Sequence, residues 1–195
     1  MKCRDICFAI VFVSGILGSA LLAKSVYLPA KAVLAQMLIK LSYYRSDGDV
    51  HYPPWPWADT YPIARLSFED TELFVLEGTN LRNLAFGPTR VDVTFELNSS
   101  GTKVVVGHRD THFAALETLD IGNKVTLQTS KADERTFVVE DIAIVDRIDA
   151  QLPIDQRSDA LYLVTCYPFN SIVADPHLRY VVKARRLVNE ALSVN

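Results

Sequence analysis

From residue 63 onward this chain of 195 residues breaks into short apolar runs separated by polar turns, and that rhythm constrains the fold more than any other feature. Residues 63–68 and 72–76 alternate loosely on either side of Glu69-Asp70-Thr71, a hairpin-like connection. Residues 91–97, Val-Asp-Val-Thr-Phe-Glu-Leu, have the period of two expected for a half-buried strand. Asn98-Ser99-Ser100-Gly101 is a turn, and the β-branched run 103–107 follows. Residues 124–129, 136–145, 160–165 and 179–187 supply the remaining strands, with short helical turns over 80–86 and 113–119. Many short strands leave exposed edges unless the sheet closes. The expected fold is therefore mainly β, a closed or nearly closed β-barrel of about eight strands.

The segment before the barrel has a different composition. Residues 6–23 carry no charge and are flanked by Lys2, Arg4 and Lys24. Such a run is just long enough for a transmembrane helix, which needs about 20 apolar residues. A cleaved signal peptide is the rival, with Gly18-Ser19-Ala20 as a small-residue cleavage site. Apolar Leu21-Leu22-Ala23 continues past it, and the run is long for a signal core, so an uncleaved anchor is expected. Lys2 and Arg4 then place the N-terminus in the cytoplasm and the rest outside.

Residues 29–45 repeat apolar side chains at Val33, Leu34, Met37, Leu38 and Leu41. This is an amphipathic helix, with Pro29 in its first turn, packed on the barrel or lying on the membrane. Pro53, Pro54, Pro56 and Pro62 mark an extended linker that Trp55 and Trp57 are expected to pin to the domain. The expected organisation is a cytoplasmic tip and anchor over 1–24, an amphipathic helix and linker over 25–60, and a barrel over 61–190.

The net charge of −3 gives no reason to expect nucleic acid. Cys3 and Cys7 lie at the N-terminal tip, which leaves Cys166 alone in the body of the chain. In an oxidising space it has no intramolecular partner there and stays a free thiol. Cys166 ends the run Leu161-Tyr162-Leu163-Val164-Thr165, His108 ends Val104-Val105-Val106-Gly107, and Arg179 opens Tyr180-Val181-Val182. Thiol, imidazole and guanidinium at strand termini are the groups needed to attack a carbonyl and stabilise charge on its oxygen. An inert buried cysteine is the alternative. Thr165 could lend its hydroxyl or backbone to a substrate, or serve simply as a strand-favouring residue.

Other candidates are weaker. His51 falls in the linker and His177 in a loop. His108 and His112 stand four apart, as in a zinc metalloprotease helix, but Arg109 occupies the place where that motif needs glutamate. No metal and no cofactor is expected. Arg109 and Asp110 suggest a local salt bridge or turn support, and Arg185 and Arg186 a solvated surface.

Gly107-His108-Arg109-Asp110-Thr111-His112-Phe113, Thr165-Cys166-Tyr167-Pro168-Phe169 and Arg179-Tyr180-Val181-Val182 together resemble the signatures of sortases, membrane-anchored cysteine transpeptidases. The resemblance spans about residues 53 to 187 and is closest to the proteobacterial, marine-type branch, where Trp55-Pro56-Trp57-Ala58-Asp59 is also familiar. Sortases often show Thr-Leu-x-Thr-Cys on the cysteine strand; here Tyr162 replaces the first threonine, on the same face as Cys166. In the family the position of His112 is often another aromatic.

The resemblance implies a sortase-like barrel in which Cys166 is the nucleophile, His108 the acid and base, and Arg179 the electrostatic partner. It implies as partners an exported protein with a C-terminal sorting signal and an amine acceptor. It also implies an enzyme anchored in the inner (cytoplasmic) membrane by one span, with its catalytic domain on the periplasmic face. The alternatives are a membrane-tethered cysteine peptidase that only hydrolyses and a non-catalytic β-barrel binding module.

Overall fold

Along β1 (Pro62–Phe68) every second residue is buried, as a strand with one face on a core requires. The computed structural model describes residues 3–187 apart from 47–49, 79, 93, 130–132, 149–151, 154, 172 and 174–175. The other strands are β2 (Thr71–Leu76), β3 (Thr89–Arg90), β4 (Lys103–Val106), β5 (Lys124–Gln128), β6 (Glu134–Asp146), β7 (Ala160–Cys166) and β8 (Leu178–Arg186). They close a barrel in the order β1-β2-β3-β4-β7-β8-β6-β5. The pairs β2/β3 and β4/β7 are parallel, and the rest are antiparallel.

The interior holds Leu66, Phe68, Val105, Phe113, Leu161, Leu163 and Val182, among others. Each such side chain contributes about 1.5–3 kcal/mol on burial. The alternate residues Val104, Ala160, Tyr162 and Val181 form a second apolar cluster. The wall made by β4, β7 and β8 is therefore covered on its outer face as well, and Tyr162 is part of that cover.

Among the described residues of 91–97 the expected strand does not form; the pairing segment is the two-residue β3 just before them. The Thr94 hydroxyl donates to the Val91 carbonyl at 2.6 Å and the Thr94 amide to the same oxygen at 3.0 Å, which closes a turn. A side chain that bonds its own backbone competes with the sheet ladder. The Phe95 ring then lies over Gly101, where a Cβ would come within 2.5 Å of it.

Two short helical segments fall where turns were expected: α2 (Leu81–Leu84), capped by the Asn80 side chain, and a 3-10 turn (Ala114–Thr118). The N-terminal helix α1 (Cys3–Arg45) runs through Pro29 without a break, instead of starting there. The expected anchor over 6–23 lies within it, and the side chains of residues 3–10 and 20–22 fall outside the described ones. Among the described residues no helix is long and apolar enough to cross a membrane.

By internal contacts the chain divides into Met1–Leu38 and Ile39–Asn195. In the second unit Ile39 and Tyr43 pack on Phe74 and Leu76 of β2. The Tyr43 hydroxyl donates to the Gln128 carbonyl at 2.9 Å, and Lys40 pairs with Glu72 at 2.8 Å. Of the apolar stripe that periodicity selects, Val33, Leu34, Met37 and Leu41 are exposed and Leu38 is half-buried, while Ile39, Ser42 and Tyr43 are buried. Hydropathy ranks Ser42 and Tyr43 low, but both hydroxyls find carbonyl partners, at Tyr52 and Gln128, and so can be buried. In the linker Trp55 meets Phe86 edge-on at 5.1 Å, whereas Trp57 is 82% exposed and pins nothing.

Candidate active site

β7 lies between β4 and β8. Its last residue, Cys166, is the direct cross-strand partner of Arg179, the second residue of β8. Directly opposed residues in an antiparallel pair share a face, so thiol and guanidinium project to the same side. On the other flank β4 runs parallel to β7, with Val106 beside Val164. The ladder continues one step past the end of β4: the Gly107 amide donates to the Val164 carbonyl at 3.2 Å. The Thr165 hydroxyl then donates to the Gly107 carbonyl at 2.8 Å.

Alternation assigns the faces. Val105, Leu161 and Leu163 belong to the interior, and Val104, Val106, Tyr162 and Val164 to the outer cluster. Carried one step on, Gly107 faces inward, where a Cβ would lie 2.9 Å from the buried Phe113 ring, and His108 comes to the outer face with Cys166 and Arg179. The fold thus brings the three expected residues to one end of three adjacent strands. Cys166 and Arg179 are partly buried and His108 is exposed, so the sulfur is not sealed in the core.

Thr165 faces the other way. It is buried, and its hydroxyl is engaged by Gly107, which ties the cysteine strand to the histidine turn. Nη1 of Arg179 donates to the carbonyls of Pro176 at 2.6 Å and Leu178 at 3.1 Å.

Two expectations are corrected. Arg109, expected in a local salt bridge or turn support, is buried and binds carbonyls distant in sequence. It is 8% exposed, and its Nη2 donates to the carbonyls of Ser171 at 2.6 Å and Val173 at 2.5 Å in the β7–β8 connection. The exposed Asp110 beside it suggests an ion pair in the sequence, and loop carbonyls leave no sequence signal by which to find the real partners. Arg186 is not plain solvated surface either. Its Nη1 donates to Asp159 at 2.9 Å, and Asp159 also pairs with the fully buried Lys103 at 2.5 Å.

His112 is half-buried. Burial pushes its imidazole below the usual histidine range; a bond with the Ala85 backbone opposes this, and the nearby His108 adds to it. A turn follows β4, so His108 and His112 do not share a helix. His177 is exposed. His51 stacks on Tyr61 at 4.9 Å and lines a separate cavity of about 420 Å³ with Glu77, Arg90, Asp133 and Arg135. The charges of that cavity pair with each other, Arg90 with Glu77 and Arg135 with Asp133. Beyond the cysteine, Tyr167, Phe169 and Tyr180 form an aromatic cluster, with Phe169 edge-on to Tyr180 at 5.0 Å.

A closed barrel with a thiol, an imidazole and a guanidinium at neighbouring strand ends defines a class of β-barrel thiol proteins. The sortase domain family matches residues 65–187. Sortase D of Bacillus subtilis is 31% identical over 119 residues, which are 60% of this chain and 59% of that protein. The chain thus spans less than two thirds of the length of that curated relative.

Among solved structures, a Clostridium perfringens sortase D5 transpeptidase superposes with a TM-score of 0.58 at 21% identity, covering 66% of this chain and 80% of that one. Sortase A from Corynebacterium diphtheriae superposes with a TM-score of 0.60 at 19% identity, covering 87% and 90%. At these identities the solved structures speak to the fold. The chain belongs to the sortase family.

Proposed function

We propose that this protein is a membrane-anchored cysteine transpeptidase that cleaves a C-terminal sorting signal of an exported protein and transfers the acyl part to an amine. The observation that carries this reading is the direct pairing of Cys166 with Arg179, with the His108 turn tied to the same strand by Thr165.

In the first step the Cys166 sulfur, its proton carried by His108, attacks the carbonyl carbon of a Thr-Gly-type peptide bond, and a tetrahedral oxyanion forms beside Arg179. The C–N bond breaks, His108 delivers a proton to the leaving amine, and a thioester remains on Cys166. An incoming amine then attacks the thioester carbon, His108 takes its proton, and the sulfur leaves as a thiolate beside the protonated imidazole as a new amide forms. Thr165 contributes through its position, because its hydroxyl is held by Gly107. No cofactor enters any step.

Residues 6–23 form the anchor, with the N-terminus in the cytoplasm and the barrel on the outer face of the inner membrane. Sorting signals also sit in the membrane, so confinement raises the effective concentration of enzyme and bond.

The test uses the full chain in detergent micelles, a set of candidate sorting peptides and a short amine acceptor, read by mass spectrometry. The expected result is a thioester adduct on Cys166 that is consumed by the amine, lost in Cys166→Ala, and reduced by about a hundredfold or more in Arg179→Gln, as for removal of an oxyanion donor. An amide product that persists in Cys166→Ala overturns the reading. So does an acid product formed in place of the amide at saturating amine.

A further inference from the structure

We infer that Arg109 is a positioning residue that holds the His108 turn in register with Cys166 by clasping the connection between β7 and β8. The inference rests on the transpeptidase reading and adds a residue to its site. Cys166 and Arg179 are fixed relative to each other by direct pairing across β7 and β8. His108 has no such partner, because β4 ends at Val106. Past that end the turn carrying His108 is held by the Gly107 amide and carbonyl, by the bond from the Phe113 amide to the His108 carbonyl at 2.9 Å, and by Arg109.

Arg109 reaches the segment that joins the other two site strands. One nitrogen, Nη2, binds the carbonyls of Ser171 and Val173 together, and Arg179 binds the Pro176 carbonyl further along the same segment. Two guanidinium groups therefore bind carbonyls of this connection, Arg109 at its middle and Arg179 near its end. The Arg109 Nη2 is held in place by a planar, rigid guanidinium, whereas an ammonium is a more strongly hydrated point charge on a flexible stem.

Arg109 is more than nine-tenths buried, yet its Nη1 has no hydrogen-bond partner among the described residues. A buried charge with an idle donor is not what stability alone selects. Its one evident product is a fixed distance between the histidine turn and the cysteine–arginine connection.

The test is a double-mutant cycle on the full chain in micelles. The rate at which iodoacetamide alkylates Cys166 is followed by peptide mapping, so Cys3 and Cys7 do not interfere. No sorting peptide is needed, so an absent acyl adduct in the wild type rejects the transpeptidase reading separately. The expected loss is about tenfold for Arg109→Gln, mid-range for residues coupled in one network, and less than about twofold when the same change is made in His108→Ala. Arg109→Lys should fall between the wild type and Arg109→Gln.

Equal losses in both backgrounds overturn the inference, because a structural role would act with or without the imidazole. Equal alkylation of wild type and His108→Ala also overturns it, as does a wild-type rate in Arg109→Lys. If neither Arg109 variant shows a cooperative thermal transition, the residue belongs to stability and the inference falls.

Discussion

At Gly107 a single methyl group separates a working turn from a displaced one. Its missing side chain faces Phe113, whose ring is fully buried and would lie 2.9 Å from an added Cβ. The ring has nowhere to go, so Gly107→Ala should lower unfolding free energy by about 1–3 kcal/mol through overpacking. Because His108 is the next residue, acyl transfer should fall further than the melting temperature alone explains. Parallel thermal melts and turnover assays on the same preparation check both; unchanged turnover in a destabilised variant would separate the turn from the chemistry.

The residues visible in the sequence were those with distinctive chemistry at the end of a β-branched run, namely Cys166, His108 and Arg179. The partners of Arg109 leave no such mark, because they are main-chain carbonyls more than sixty positions away.

At the scale of elements, the last turns of α1 show that the residues packed on β2 are not the most apolar ones of the helix. Val33, Leu34, Met37 and Leu41 form an exposed apolar stripe with half-buried Leu38, while in the second unit Ile39 and Tyr43 are the residues that pack on β2. Burial also pushes the Tyr43 hydroxyl up to about 12, so it remains a donor to the Gln128 carbonyl throughout the neutral range. Tyr43→Phe should cost about 1 kcal/mol, the net value of one hydrogen bond. Met37→Ala, on the exposed stripe, should stay within about 0.5 kcal/mol. Urea titration of the two variants distinguishes the faces, and the reverse ranking would show that the exposed stripe is the packed one.

β3 and the loop after it carry a related lesson. Residues 91–97 alternate as a strand does, but the Thr94 hydroxyl competes for the backbone and a turn results.

Across the whole molecule, the start of β4 is tied to the segment before β7 and to the end of β8 by one charge cluster. Asp159 sits between Lys103 and Arg186. Burial pushes its carboxyl up, but hydrogen bonds from those two cations outweigh this and hold it below the usual aspartate range. Lys103, with no exposed surface, moves down because desolvation outweighs Asp159. Removing the shared anion leaves a buried ammonium without its charge partner, so Asp159→Asn should destabilise by about 3–5 kcal/mol at neutral pH.

The sign of the pH dependence follows. A carboxyl lowered in the folded state contributes its stability above the unfolded value of about 3.9, and that contribution is lost as pH falls through the lower folded value. Asp159→Asn should therefore flatten part of the acid limb of the stability curve below about pH 4. Melting curves between pH 2 and pH 7 test it; a variant with an unaltered acid limb would place the acid sensitivity elsewhere.

The sequence by itself determined that this is a barrel of short strands with a thiol, an imidazole and a guanidinium at strand ends. Strand period, turn chemistry and side-chain type are properties of neighbouring residues and need no knowledge of the fold. Only the tertiary structure decided that β7 lies between β4 and β8, that Ile39 and Tyr43 pack on β2, and that Arg109 turns inward to bind a loop. Strand order and the burial of a polar atom depend on partners dozens of residues away, and those partners exist as such only once the chain has closed on itself.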